Sequence, residues 1–102
     1  MVVSFSIVPV GVGEELREYI ARILDLIDMS GLPYKLGAMQ TTVEGEEAEV
    51  MALVMACHCL MAEVSPRVLT HIAIDDRRGA TGRLEGKVQE VEAVLGRKLS
   101  RE

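Results

Sequence analysis

The side chains able to do polar chemistry fall on alternate positions of segments that read as β-strands. Ser4 and Ser6 lie on one such segment, Gln40, Thr42 and Glu44 on a second, and His71 and Asp75 on a third. Hydroxyls, an amide, carboxylates and an imidazole are the donors and acceptors of a small-molecule floor. The same mixture suits a wet subunit interface or a solvated sheet face. His71 and Asp75 share strand parity and are the one imidazole–carboxylate pair to weigh for acid–base work. Cys57-His58-Cys59 has the residue types of a metal site. Neighbouring positions on a helix diverge, however, and structural zinc needs convergent ligands spaced through turns, so the default is ordinary helix packing. No Ser or Cys nucleophile stands at a workable spacing from a base. Arg77-Arg78-Gly79, with Arg83 and Lys87, forms a local basic cluster that suits a phosphate or a solvated loop.

These groups need elements to hold them. Val3, Phe5 and Ile7 alternate with Ser4 and Ser6, the period of a half-buried strand, and Pro9 with Gly11 is expected to end it. Glu14 and Glu15 suit the start of a helix. Leu16, Tyr19, Ile20, Ile23, Leu24 and Ile27 then share one helical face, and Ser30-Gly31-Leu32-Pro33 stops it. Two short strands are expected at 34–38 and 39–44, turned at Gly37. A second helix runs from Glu46 to about Glu63 and is broken by Ser65-Pro66. A fourth strand from Arg67 to about Asp76 alternates Val68, Thr70, Ile72 and Ile74. A last helix at 84–95 carries Leu84, Val88, Val91 and Leu95 on one stripe and is capped by Gly96. The order is β-α-β-β-α-β plus a terminal helix. It predicts an α+β, ferredoxin-like βαββαβ sandwich with an additional C-terminal helix, with residues 1–102 as a single domain. Parity puts Val3, Phe5, Ile7, Met39, Thr41, Val43, Val68, Thr70, Ile72 and Ile74 toward the helices. The polar set above lies on the opposite face.

The second helix is apolar beyond what one buried stripe requires, with an unbroken run over residues 50–57. Either a partner subunit or the terminal helix must cover the second face, and the sequence leaves both open. Large exposed apolar patches are rare on monomers, so an oligomer is expected. The net charge of −5 argues against nucleic acid, whose phosphates need a basic surface. No apolar run approaches the roughly 20 residues of a membrane span, and the N-terminal segment lacks the pattern of a signal peptide. Cys57 and Cys59 are not placed to close a disulfide, so a reducing cytoplasm is the expected compartment.

Several stretches, in order, resemble a known family. They are Ser6-Ile7-Val8-Pro9-Val10-Gly11, Ser30-Gly31-Leu32-Pro33-Tyr34, Met39-Gln40-Thr41-Thr42-Val43-Glu44-Gly45, Ile74-Asp75-Asp76-Arg77 and Lys87-Val88-Gln89-Glu90-Val91-Glu92. Together they resemble the thiamine-binding, YkoF-like family of small ferredoxin-like proteins, across essentially the whole chain. The resemblance implies homotetramers built as pairs of dimers and a pocket for thiamine or its hydroxymethylpyrimidine half, with no cofactor and no catalysis. For such a ligand Glu44 is the candidate carboxylate, although a charge just ahead of a helix is favourable without one. Thr41 and Thr42 are candidates to bond the pyrimidine, Asp75 to face the cation and Ser6 to line the floor. Tyr34 is the candidate stacking ring, because Phe5 and Tyr19 suit the core. Gln40 stands where the family pattern leads one to expect Gly, and its side chain would reshape the pocket. Two other readings remain: a small oligomeric enzyme using the same sheet face, and a regulatory or assembly subunit that docks through the apolar helix.

Overall fold

The computed structural model describes residues 1–11, 16–79 and 82–99. The elements are β1 (Val2–Val10), α1 (Arg17–Met29), β2 (Tyr34–Leu36), β3 (Thr41–Glu44), α2 (Glu47–Ala62), β4 (Arg67–Asp75) and α3 (Arg83–Leu95). The strands form one antiparallel sheet in the order β2-β3-β1-β4. With α1 and α2 layered on one face, this is the ferredoxin-like arrangement, extended by α3. The core lies between that face and the two helices. Val3, Phe5 and Val43 from the sheet meet Ile23 and Ile27 of α1 and Val50, Leu53, Val54, Cys57, Leu60 and Met61 of α2.

The register supports the parity reading. Ser4 is opposite Thr42 and Ala73, Ser6 is opposite His71, and Val2 is opposite both Glu44 and Asp75, so these residues share the helix-free face. On the other face Thr70 Oγ1 lies 2.6 Å from Nδ1 of His58 on α2.

Three local expectations are corrected. Pro9 does not end β1, which continues to Val10 with Pro9 opposite Val68. Past Phe5, among the described residues, only β4 flanks the strand, and proline is tolerated where one side makes no ladder bonds. β2 is shorter than expected, and Met39 and Gln40 lie outside β3. They belong to a turn closed by the Gly37 N–H donating to the Gln40 carbonyl at 2.9 Å. A Cβ at Gly37 would stand 2.7 Å from that oxygen, so the turn requires glycine and pulls Met39 away from the inward position its parity suggested. Glu14 and Glu15 lie outside the described residues, as do the side chains of Arg83, Lys87 and Val88.

The terminal helix does not cover the second face of α2. It packs chiefly against β3, and Ala52, Met55, Ala56 and Cys59 remain exposed. These four recur at helical spacing directly away from the core. Gly96 ends α3 at φ +71°, a conformation that favours glycine. The radius of gyration is 15.2 Å, against about 13 Å for a compact chain of 100 residues. No helix among the described residues is long and apolar enough to cross a membrane.

Candidate functional site

β1 has nine residues and β3 has four. The β1–β3 ladder therefore stops at Phe5, and among the described residues no strand lies beside Ser6, Ile7 and Val8 on that side. In an antiparallel sheet every second residue turns both its N–H and its C=O toward the same side. This edge thus offers an adjacent donor and acceptor. A cleft of about 290 Å³ opens beside it. Ile20, Ile23 and Ile27 of α1 form one wall, Phe5 and Met61 reach it from the core, and the turn from Gly37 to Thr41 forms the rim. Among the described residues no charged side chain lines it.

The predicted site residues divide between this cleft and other places. Ser6 and Thr41 line it. Thr42 lies on the helix-free face, where its Oγ1 donates to Ser4 Oγ at 3.3 Å. Ser4 Oγ in turn donates to Gln40 Oε1 at 2.5 Å. Gln40 is also part of the cleft lining, but its amide is held toward Ser4. Tyr34 lines neither this cleft nor the one described next; its hydroxyl donates to Asp28 at 2.7 Å, tying β2 to the end of α1. The hydrogen bond to Asp28, reinforced by slight burial and the Asp28 charge, raises the Tyr34 pKa.

Glu44 and Asp75 flank Val2 from opposite sides, about 10 Å apart at two strand spacings. Glu44 Oε1 accepts from the Leu84 N–H at 3.3 Å, so its carboxylate serves the start of α3, where negative charge is favourable. A second, wider hollow of about 600 Å³ lies at this end of the sheet, with Glu44, Glu46, Glu49 and Asp76 facing Arg77 and Arg78. The structure therefore does not gather the six predicted residues into one pocket. Sequence reasoning missed the α1 wall, Met61 and above all the main-chain edge of β1. The available signal was the mismatch in strand length.

Cys57, His58 and Cys59 diverge as expected. Cys57 is in the core and Cys59 is exposed, while His58 turns toward β4. No group of three possible metal ligands occurs among the described residues.

A family profile described as thiamine-binding protein matches residues 3–92. The chain belongs to the thiamine-binding protein family. A UPF0045 protein of Mycobacterium bovis is 40% identical over 96 residues, spanning 93% of this chain and 94% of that one. Two crystal structures share the fold. One, a hypothetical protein of Methanocaldococcus jannaschii, aligns with a TM-score of 0.77 at 24% identity, covering 88% of this chain and 93% of that one. The other is a Thermotoga maritima protein given a provisional role in thiamine biosynthesis or salvage. It aligns with a TM-score of 0.74 at 31% identity, covering 88% of this chain and 96% of that one. Within the thiamine-binding family, this chain thus pairs a common fold with a cleft whose described lining carries no charged side chain.

Proposed function

We propose that the protein is a non-enzymatic, cytoplasmic binder of thiamine, holding it by its hydroxymethylpyrimidine half. The observation that carries this reading is the 290 Å³ cleft against the edge of β1, with no charged side chain among its described lining residues. An aminopyrimidine presents a donor and an acceptor side by side and two apolar faces. The β1 edge supplies the complementary main-chain pair, and Ile20, Ile23 and Met61 supply apolar contact. The cationic thiazolium finds no carboxylate among the described residues of the cleft and extends toward solvent. Among the described residues no His, Cys or carboxylate lines the cleft, which favours binding over catalysis.

The protein assembles as a homotetramer, a dimer of dimers. The exposed apolar residues on α2 and α3, Met55, Val91, Val94 and Leu95 among them, support self-association. The negative net charge gives nucleic acid no part in the function.

The test is a thermal-shift and calorimetric titration with hydroxymethylpyrimidine, thiamine and thiamine phosphates. A ligand that binds only the folded state at about 100 times its Kd stabilises it by about 2.7 kcal/mol. Hydroxymethylpyrimidine and thiamine are expected to give similar shifts, because the pyrimidine makes the contacts. No shift with any of these compounds overturns the proposal.

A further inference from the structure

The aminopyrimidine proposed for the cleft has a polar group that the β1 edge leaves over. Its amino group and the ring nitrogen beside it form the pair that the main chain of Ser6–Val8 matches. The second ring nitrogen lies across the ring from the amino group. It accepts a hydrogen bond and donates none. A binding site that tells this ring from a close relative without that nitrogen must turn a donor toward it, because a site that pairs a ligand's polar group rejects the analogue lacking it.

Gln40 is held in a way that supplies such a donor. It lines the cleft and is fixed at two points. Its carbonyl accepts from the Gly37 N–H at 2.9 Å, and its Oε1 accepts from Ser4 Oγ at 2.5 Å. Ser4 Oγ accepts in turn from Thr42 Oγ1 at 3.3 Å, so the Ser4 proton is directed at Gln40. A Gln side chain carries one acceptor oxygen and an NH2 with two donors. The two hydroxyls occupy the oxygen, which leaves Nε2 with no partner among the described residues. The other side-chain donors of the described lining are the hydroxyls of Ser6 and Thr41. A hydroxyl donates or accepts as its neighbour requires, so it discriminates little. An amide NH2 only donates.

We propose that Gln40 is a specificity-determining residue of the cleft. Its Nε2 donates to the ring nitrogen across from the amino group, and Ser4 and Thr42 are positioning residues that hold the amide with its NH2 toward the ligand. The ligand class selected is a neutral amino-substituted heterocycle with a second ring nitrogen that only accepts. This rests on the pyrimidine-binding reading of the cleft.

The test compares hydroxymethylpyrimidine with its deaza analogue, an aminopyridine in which C–H replaces that nitrogen and every substituent is kept. Both are titrated calorimetrically in alkaline buffer, where both rings are neutral. The parent is expected to bind the pyrimidine about three- to ten-fold more tightly. Gln40→Leu keeps the bulk and removes the amide. It is expected to bind the two compounds equally, through a loss on the pyrimidine alone. Gln40→Glu keeps an oxygen for Ser4 and puts a second oxygen in place of the NH2, so pyrimidine affinity is expected to fall about ten-fold or more. Ser4→Ala is expected to reduce the discrimination in the parent and to change nothing further in Gln40→Leu. A merely structural role for Ser4 gives no such non-additivity. Gln40 is exposed, and its variants are expected to unfold at the parent's denaturant midpoint. If the parent does not discriminate, if Gln40→Leu keeps the parent's discrimination, or if Gln40→Glu binds the pyrimidine more tightly, the role of Gln40 is overturned. Binding in the cleft still stands in those cases when Ile20→Ala weakens it. A parent that binds neither compound overturns both.

Discussion

Ile20 offers a quantitative test of the cleft. It sits on the α1 wall, outside the buried core, and is 48% exposed. Fully burying an Ile side chain is worth about 1.5–3 kcal/mol. The half already buried supports folding by about 1 kcal/mol, and the half still exposed holds a similar amount for a ligand that covers it. Ile20→Ala removes most of both. The expected result is a rise in Kd for hydroxymethylpyrimidine of about five-fold, with a loss of about 1 kcal/mol in unfolding free energy. Ile20→Asp goes further, because it places a carboxylate in a cleft whose described lining is uncharged, against an uncharged heterocycle. Desolvating that charge costs several kcal/mol, and binding is expected to fall by about a hundred-fold or more. Isothermal titration calorimetry measures both variants. It also reports the heat-capacity change, which becomes less negative as apolar burial is lost. Val94→Ala is the control, since Val94 is 87% exposed on α3 and is no part of the cleft. If both Ile20 variants fold and bind hydroxymethylpyrimidine as tightly as the parent, the ligand does not lie against α1 and the cleft is not the site.

Two further results follow from the packing. Ser65 is buried, and its Oγ accepts from the Val10 N–H at 3.2 Å while lying 2.7 Å from the Arg67 carbonyl and 3.1 Å from that of Val10. Ser65→Ala leaves these main-chain groups short of a partner where β1 ends and β4 begins, and chemical denaturation is expected to show a loss of about 1–3 kcal/mol. Burial pushes the Cys57 thiol up to about 11, so at pH 8 almost none of it is thiolate, the reactive form. A maleimide or iodoacetamide time course on the native protein, read by peptide mass mapping, is expected to label Cys59 and spare Cys57 until denaturant is added. Labelling of Cys57 at a rate equal to Cys59 would contradict its buried position.

The fold was legible because its signals are periodic. Alternation in Val3–Ile7 and Val68–Ile74 specifies the face each side chain takes, and the register bears that out through Ser4 opposite Thr42 and Ser6 opposite His71. The excess of apolar residues on α2 was equally legible, while its covering was not. Both α3 and a partner subunit satisfied the same pattern, and the packing of α3 on β3 bears only on the first of them. Local geometry escaped the sequence where one contact overrode parity. Met39 has the parity of an inward strand residue, but the Gly37–Gln40 turn takes it out of β3. Glu44 has the chemistry of a ligand carboxylate, but the start of α3 lies within its reach. Periodicity does not encode that arrangement, because α3 is distant in the chain.

The candidate site escaped for a deeper reason: its polar component is main chain. Reading side chains for donors and acceptors led to Thr42, Glu44 and Asp75, which the sheet places on its helix-free face or at its end. The cleft draws its hydrogen-bonding edge from Ser6–Val8, where any sequence that forms a strand would offer the same groups. What makes the edge available is the inequality between a nine-residue β1 and a four-residue β3. The same inequality shapes the other side of the molecule. β1 can be long only because β4 matches it residue for residue, and a β4 of that length leaves a long outer edge. A free edge beside α1 and an unblunted edge at β4 are thus two consequences of one choice of strand lengths. A ligand in the cleft would supply the backbone partner that β3 does not. Lengthening β3 by repacking the 37–40 turn would therefore close the cleft and is expected to abolish hydroxymethylpyrimidine binding in a calorimetric titration.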